Sequence, residues 1–195
     1  IRQKEPKGLG HAIYCAKSFI GDEPFAVMLG DDIVQSEVPC LKQLMNVFHE
    51  YQSSIIGVQK VPNEDVSKYG IIQPKEFILH DEGIFPIETL VEKPAISQAP
   101  SNYAVMGRYI LTPEIFNILE DLPPGANDEI QLTDAISGLT ASQLVYAYYF
   151  QGKRYDVGDK LGFIKATIDF ALLRDELTTD VLDYMSELVE TSKRR

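Results

Sequence analysis

A short apolar run with an abrupt acidic end does most to limit what this chain can fold into. Pro24 opens it, Phe25 to Leu29 carry it, and Gly30, Asp31 and Asp32 close it. So short a run between Pro and Gly suits a strand buried on both faces of a parallel sheet rather than a helix. The segments around it agree. Lys7 to Ile20 places Leu9, Ala12, Ile13, Ala16 and Phe19 at helical spacing. Cys40 to Tyr51 does the same with Leu41, Leu44, Met45, Val47 and Phe48, and the run from Ser53 to Val61 is a second strand. Alternating helix and strand predicts an α/β sheet with right-handed crossovers.

The middle of the chain changes character. Tyr69 to Pro74, Glu76 to His80 and Ile84 to Pro94 read as strands, with a turn at His80 to Gly83 between the last two. They predict antiparallel strands beside the parallel sheet. Asn102 to Thr112 is a further strand, Pro113 opens a helix to about Leu119, and Asp128 to Leu139 reads as helix. Gln143 to Gly152 and Lys153 to Lys160 follow as strands. Gly162 to Leu177 and Thr179 to Lys193 are two closing helices, the second capped by Thr178 or Thr179. No repeat or linker divides the chain, so a single domain over 1–195 is expected, with 160–195 as its C-terminal helices.

With 195 residues, 45% of them hydrophobic, the chain can bury one core. No apolar run approaches the roughly 18 to 20 residues of a membrane helix, and no signal peptide is visible. Ile1 is not a natural start, so the chain is expected to begin inside a longer one. A formal net charge of −11 argues against duplex nucleic acid as a partner, because phosphate backbones are held by Lys and Arg. Two cysteines, Cys15 and Cys40, with no CxxC, read as free thiols in a reducing, cytoplasmic setting. The three histidines share no metal-ligand spacing.

Three places carry candidate chemistry. Asp31 follows the first strand by one glycine, and Asp156 stands at a similar strand end before Val157 and Gly158. Ligands of open α/β sheets lie beyond such ends, and two carboxylates there can share one Mg2+, which takes hard oxygen ligands. Spacing alone equally allows turn or cap residues. The segment Arg2 to Ala12 sets Gly8 and Gly10 at a helix start, where backbone N–H groups can meet a phosphate or a base edge; an ordinary glycine-rich helix start fits as well. Glu92 and Lys93 close a strand before Pro94, suited to sugar hydroxyls and a phosphate, or simply to a solvated sheet edge. Gly70 and Gly107 sit inside strand patterns and mark either bulges or close backbone approach.

The order of these motifs is more telling than any one of them. RQKEPKGLGHAI, MLGDDIV, KYGII, VEKP, AVMGRYILTPEIF, DEIQLTDAI and GKRYDVGDKLGF, running from about Arg2 to Ala171, closely resemble the sugar-nucleotidyltransferase family. Within it they resemble the bacterial branch that joins UTP to glucose 1-phosphate; thymidylyl and cytidylyl relatives share the plan. The resemblance implies a mixed, mostly parallel Rossmann-like sheet flanked by helices, with an antiparallel sugar-binding portion. It implies small-molecule substrates, Mg2+ as cofactor, and in-line attack of the sugar phosphate on the α-phosphorus of the nucleotide. By position, Gln3 and Gly8 correspond to the base-binding residues, with Asp32 beside the nucleotide. Asp31 and Asp156 correspond to the metal ligands, and Gly70, Glu92, Lys93 and Gly107 to the sugar-phosphate residues. Asp31, Lys93 and Asp156 are the expected catalytic set. The family's glycine-rich loop and the first strand and helix of its nucleotide-binding half lie upstream of Gln3 and are absent here, so the 195 residues alone are expected to be inactive and to expose a sheet edge or the sheet centre. A homodimer or homotetramer is expected, without nucleic acid or membrane partners. The alternatives are a relative using dTTP or CTP, or a non-catalytic homologue that senses sugar nucleotides.

Overall fold

A computed structural model describes residues 1–75, 83–125 and 128–193. The strand expected over Glu76 to His80 lies outside them, and of the turn expected at His80 to Gly83 only Gly83 is described, at φ +71°. By backbone contacts the chain divides into two units: residues 1–29 with 36–152, and residues 30–35 with 153–195. The C-terminal helices fall in the second.

Unit 1 is built on a six-stranded sheet. Its strands are β1 (Phe25–Met28), β3 (Ser54–Lys60), β4 (Gly70–Pro74), β5 (Ile84–Glu92), β6 (Tyr103–Leu111) and β7 (Val145–Tyr149), in the order β1-β6-β3-β7-β5-β4. The sheet is mixed, but it is not mostly parallel. Among the described strands only β3 and β7 pair in parallel; β1–β6, β3–β6, β4–β5, β4–β6 and β5–β7 are antiparallel. The reason is the insertion of β6 between β1 and β3. Those two strands do run the same way, but each meets β6 rather than the other. The first strand also differs from expectation: β1 ends the sheet, and Met28 is 57% exposed.

The α-helices among the described residues of unit 1 are α1 (Leu9–Tyr14), α2 (Lys17–Ile20), α3 (Cys40–Tyr51), α4 (Ile115–Asp121) and α5 (Leu132–Thr140). The single helix expected from Lys7 to Ile20 breaks at Cys15 and Ala16, a break its unbroken apolar spacing hides. α3 matches its expected span; it buries Cys40, Gln43, Leu44 and Val47 and ends at Gln52 in the left-handed conformation. α5 starts later than expected: Asp128 takes φ +61° and Gln131 is extended, so the helix begins at Leu132. The core packs Ile56, Val58, Ile72, Phe85, Leu111, Phe116, Leu132 and Ile136 between sheet and helices, with Phe25 stacked on Phe116 at 5.1 Å.

Unit 2 is smaller. β2 (Asp32–Gln35) and β8 (Lys153–Asp156) form an antiparallel ribbon with Asp32 opposite Asp156. Two helices follow, α6 (Lys160–Leu172) and α7 (Asp175–Ser192). Asp159 caps α6 by accepting from the Gly162 N–H at 2.9 Å, so this helix begins before the expected Gly162. The break between the helices falls at Leu173 and Arg174, not at Thr178. Phe170 of α6 packs on Tyr155 at 5.8 Å. Among the described residues no helix is long and apolar enough to cross a membrane.

Candidate active site

The candidate residues of unit 2 stand where β2 and β8 meet the turn into α6. Asp31 precedes β2, and its carbonyl accepts from the Val157 N–H at 2.8 Å, tying the two strand ends together. Asp156 ends β8. Its Oδ1 accepts from the Gly158 and Asp159 N–H groups at 3.1 and 3.3 Å, and its Oδ2 from Arg154 Nη2 at 3.3 Å. Hydrogen bonds of this kind fix a carboxylate in direction. Gly158 supplies the space. A β-carbon built there would stand 3.2 Å from Asp156 Oδ1 and 3.4 Å from Asp31 Oδ2. The two carboxylates therefore face one small gap that only glycine leaves open.

That donor set fits a divalent cation such as Mg2+: two hard oxygen ligands, with the other positions left to phosphates and water. Among the described residues no group of three or more His, Cys, Asp or Glu side chains is arranged to hold a metal.

Asp32 sits differently from its neighbour. It is 7% exposed, and its carboxylate is bound by the Arg154 guanidinium. Burial pushes its carboxyl above the ordinary carboxylate range; Arg154 pulls it back, and Asp156 and Asp31 push it up again, with the balance upward. A buried carboxylate held by a half-buried arginine ties β2 to β8. Gly162, which carries no signal in the sequence, matters more. A β-carbon there would run into the Asp156 carbonyl, so only glycine lets α6 begin flush against the strand that carries Asp156.

Unit 1 holds two further groups. In the first, Gln3 Nε2 donates to the Gly8 carbonyl at 3.1 Å and contacts His11 Nδ1 at 2.8 Å. Gly8 has φ +90°, and a β-carbon on it would come within 2.8 Å of Glu129 Cβ and the Ile130 carbonyl. No other residue fits there. The segment is pinned by Gly10 N–H to the Ile130 carbonyl and by Ile130 N–H to the Lys7 carbonyl, both at 2.9 Å.

In the second group, Gly70 lies opposite Glu92 across the β4–β5 pair. A β-carbon on Gly70 would be 2.6 Å from Thr133 Cγ2 and 3.2 Å from Glu92 Oε2. Its absence lets the Glu92 carboxylate settle over the strand, where Thr133 Oγ1 donates to Oε2 at 3.0 Å. Lys93 takes φ +43°, which breaks strand alternation and brings its Nζ to 3.9 Å from Glu92 Oε1. Neighbours that a regular strand would point apart therefore share one side. Gly107 stands apart from this group. At φ +52° it forms a bulge in β6, and its carbonyl accepts from the Leu29 N–H at 2.9 Å.

Thr133 and Ile130 carry no signal of this kind in the sequence. Ile130 lies just before α5 and Thr133 in its first turn, so this stretch backs the Gln3–Gly8 group and the Gly70–Glu92 group alike. A groove of about 590 Å³ elsewhere in unit 1, lined by Glu37, Asn46, Glu50 and Tyr148 among others, contains none of the candidate residues.

The chain belongs to the nucleotidyl transferase family, whose family model matches residues 1–171. Among individual proteins it is 57% identical over 190 residues to a UTP–glucose-1-phosphate uridylyltransferase of Bacillus subtilis (strain 168), covering 97% of this chain and 64% of the relative. The chain thus spans about 64% of the length of that relative. Among solved structures, a UDP-glucose pyrophosphorylase complexed with UDP-glucose superposes with a TM-score of 0.85 at 46% identity, covering 89% of this chain and 66% of that one. A UTP-bound UGPase from Acinetobacter baumannii superposes with a TM-score of 0.86 at 38% identity, covering 96% and 65%.

Proposed function

We propose that this chain is part of an enzyme that makes UDP-glucose and pyrophosphate from UTP and glucose 1-phosphate. One observation carries the reading: a chain 57% identical to an enzyme of that name holds two carboxylates, Asp31 and Asp156, across a gap kept open by Gly158.

In this reaction an oxygen of the sugar phosphate attacks the α-phosphorus of UTP. The new P–O bond forms as the bond from the α-phosphorus to the bridging oxygen breaks, and pyrophosphate leaves with the electron pair. No protein nucleophile is needed, so the side chains position the reactants and offset charge. Asp31 and Asp156 would hold Mg2+, which would supply Lewis-acid neutralisation of the phosphates. Gln3 and Gly8 take the base. Glu92, steadied by Thr133, accepts from sugar hydroxyls, and Lys93 meets the sugar phosphate. Gly70 and Gly107 leave room for the sugar to lie close to the backbone. Asp32 supports the ribbon through Arg154. We also expect a cytoplasmic homodimer or homotetramer, which sedimentation of the full-length protein would check.

The test is pyrophosphate release by the full-length protein with Mg2+ and glucose 1-phosphate, comparing UTP, dTTP, CTP and ATP. Preference for UTP supports the reading. Preference for another nucleotide keeps the chemistry and changes the substrate. Release with none of them overturns it.

A further inference from the structure

The proposed base-binding residue Gln3 does not stand alone. Its amide nitrogen carries two hydrogens and has two neighbours: the Gly8 carbonyl at 3.1 Å and His11 Nδ1 at 2.8 Å. A carbonyl only accepts, so the group facing Gly8 must be the NH2 of Gln3. The second hydrogen then meets His11 Nδ1, which must present its lone pair and leave the ring proton on Nε2. Both donors of Gln3 are therefore used within the segment. Its Oε1 has no partner among the described residues and remains as the group to meet a ligand. The N–H of Gly8 likewise has none among them.

We propose that His11 is a positioning residue for base selection: together with the Gly8 carbonyl it holds both hydrogens of the Gln3 amide, so that an acceptor, never a donor, faces the nucleotide. The inference rests on the nucleotidyl-transfer reading above. An acceptor at Gln3 suits the N3–H of uracil, while the Gly8 N–H suits one of its carbonyls. Cytosine in the same pose turns an N3 lone pair toward Oε1, two acceptors without a proton between them. Thymine shares the uracil pattern, so His11 separates UTP and dTTP from CTP and does not separate UTP from dTTP. Without His11, nothing in the segment opposes rotation of the amide except the Gly8 carbonyl. The side chain of His11 is half-buried, with Cys15 Sγ 3.9 Å from its Nε2 on the next helical turn.

The experiment compares kcat/KM for UTP, dTTP and CTP in the full-length wild-type protein and in His11→Leu, His11→Asn and Gln3→Ala. In His11→Leu the UTP-to-CTP ratio is expected to fall roughly tenfold, the discrimination one hydrogen bond supports. The UTP-to-dTTP ratio and the KM for glucose 1-phosphate stay unchanged. His11→Asn restores the acceptor in nearly the same place and should keep the wild-type ratio. In the Gln3→Ala background, His11→Leu should have no further effect on the ratio. If His11→Leu does not fold, His11→Ala removes the ring without added bulk and gives the same comparison. An unchanged UTP-to-CTP ratio, or an equal loss with Gln3 absent, overturns the role of His11 alone. A wild-type protein inactive with every nucleotide overturns the proposed function, and this inference with it.

Discussion

In unit 1 the candidate residues stand on or beside a six-stranded sheet whose core side chains, among them Ile55, Ile72, Phe85 and Leu111, are sealed from solvent. In unit 2 they stand on or beside a two-stranded ribbon, and the buried hydrophobic residues described for the unit are Tyr155 of the ribbon and Ala166 of α6. The means differ accordingly. The sheet is rigid enough to define a site by leaving side chains out, at Gly8, Gly70 and Gly107. The ribbon has little core, so it fixes its acids by hydrogen bonds: Asp156 by two backbone N–H groups, Asp32 by Arg154. Space is the resource of unit 1, and oriented charge that of unit 2. Substitutions in unit 1 should therefore act on substrate affinity and choice, and those in unit 2 on turnover and metal dependence.

The largest expected effect is in unit 2. Asp31→Ala should lower kcat with UTP and glucose 1-phosphate by about 1,000-fold or more, the scale of several kcal/mol of lost charge neutralisation. Near-normal turnover would break the comparison at its root. Next comes Arg154→Leu, which leaves Asp32 buried without its guanidinium. It should cost about 3 to 5 kcal/mol in chemical denaturation. The pH dependence has a definite sign. Burial raises the folded-state carboxyl of Asp32, so its contribution is most favourable below the unfolded-state value and is lost as pH rises through the folded one. The deficit of Arg154→Leu should therefore shrink as pH falls into the carboxylate range and be greatest at neutral pH.

Smaller effects sharpen the contrast. Gly158→Ala puts a methyl group between the carboxylates at a position with ordinary backbone angles. It should raise the half-saturating Mg2+ concentration roughly tenfold while leaving the unfolding midpoint near wild type. Gly70→Ala, on the other unit, should displace Thr133 and Glu92. We expect a KM for glucose 1-phosphate raised about five- to tenfold, with the KM for UTP unaffected, the cost of about one hydrogen bond.

Much of this is legible in the amino-acid sequence. The strands around Ile55, Ile71, Leu90 and Ile110 and the helix from Cys40 to Tyr51 show themselves by apolar spacing. Strand direction does not, because alternation looks the same whichever way a neighbour runs; hence spacing cannot reveal the sheet's antiparallel majority, which the insertion of β6 creates. β2 escapes notice because Asp32 to Gln35 is too short for a pattern and begins in acids that resemble a turn. The acids, glycines and Lys93 of the site stand out by their place at strand ends and by motif order. Their supports do not. Thr133 and His11 act through a single hydrogen bond each, and Gly162 through contact with one carbonyl; none of these leaves a periodic trace. Asp32 shows the converse. Beside Asp31 it looks equally exposed to ligand, yet pairing with β8 turns it toward Arg154.

The division of labour between space and charge is tested most directly by titrating Mg2+ against pyrophosphate release in the full-length wild-type protein, Asp156→Ala and Gly70→Ala. The half-saturating Mg2+ concentration should be the same within about twofold for wild type and Gly70→Ala, and at least about tenfold higher for Asp156→Ala. An Asp156→Ala curve that overlays the wild type, or a Gly70→Ala curve shifted as far, would contradict the assignment of the metal to unit 2.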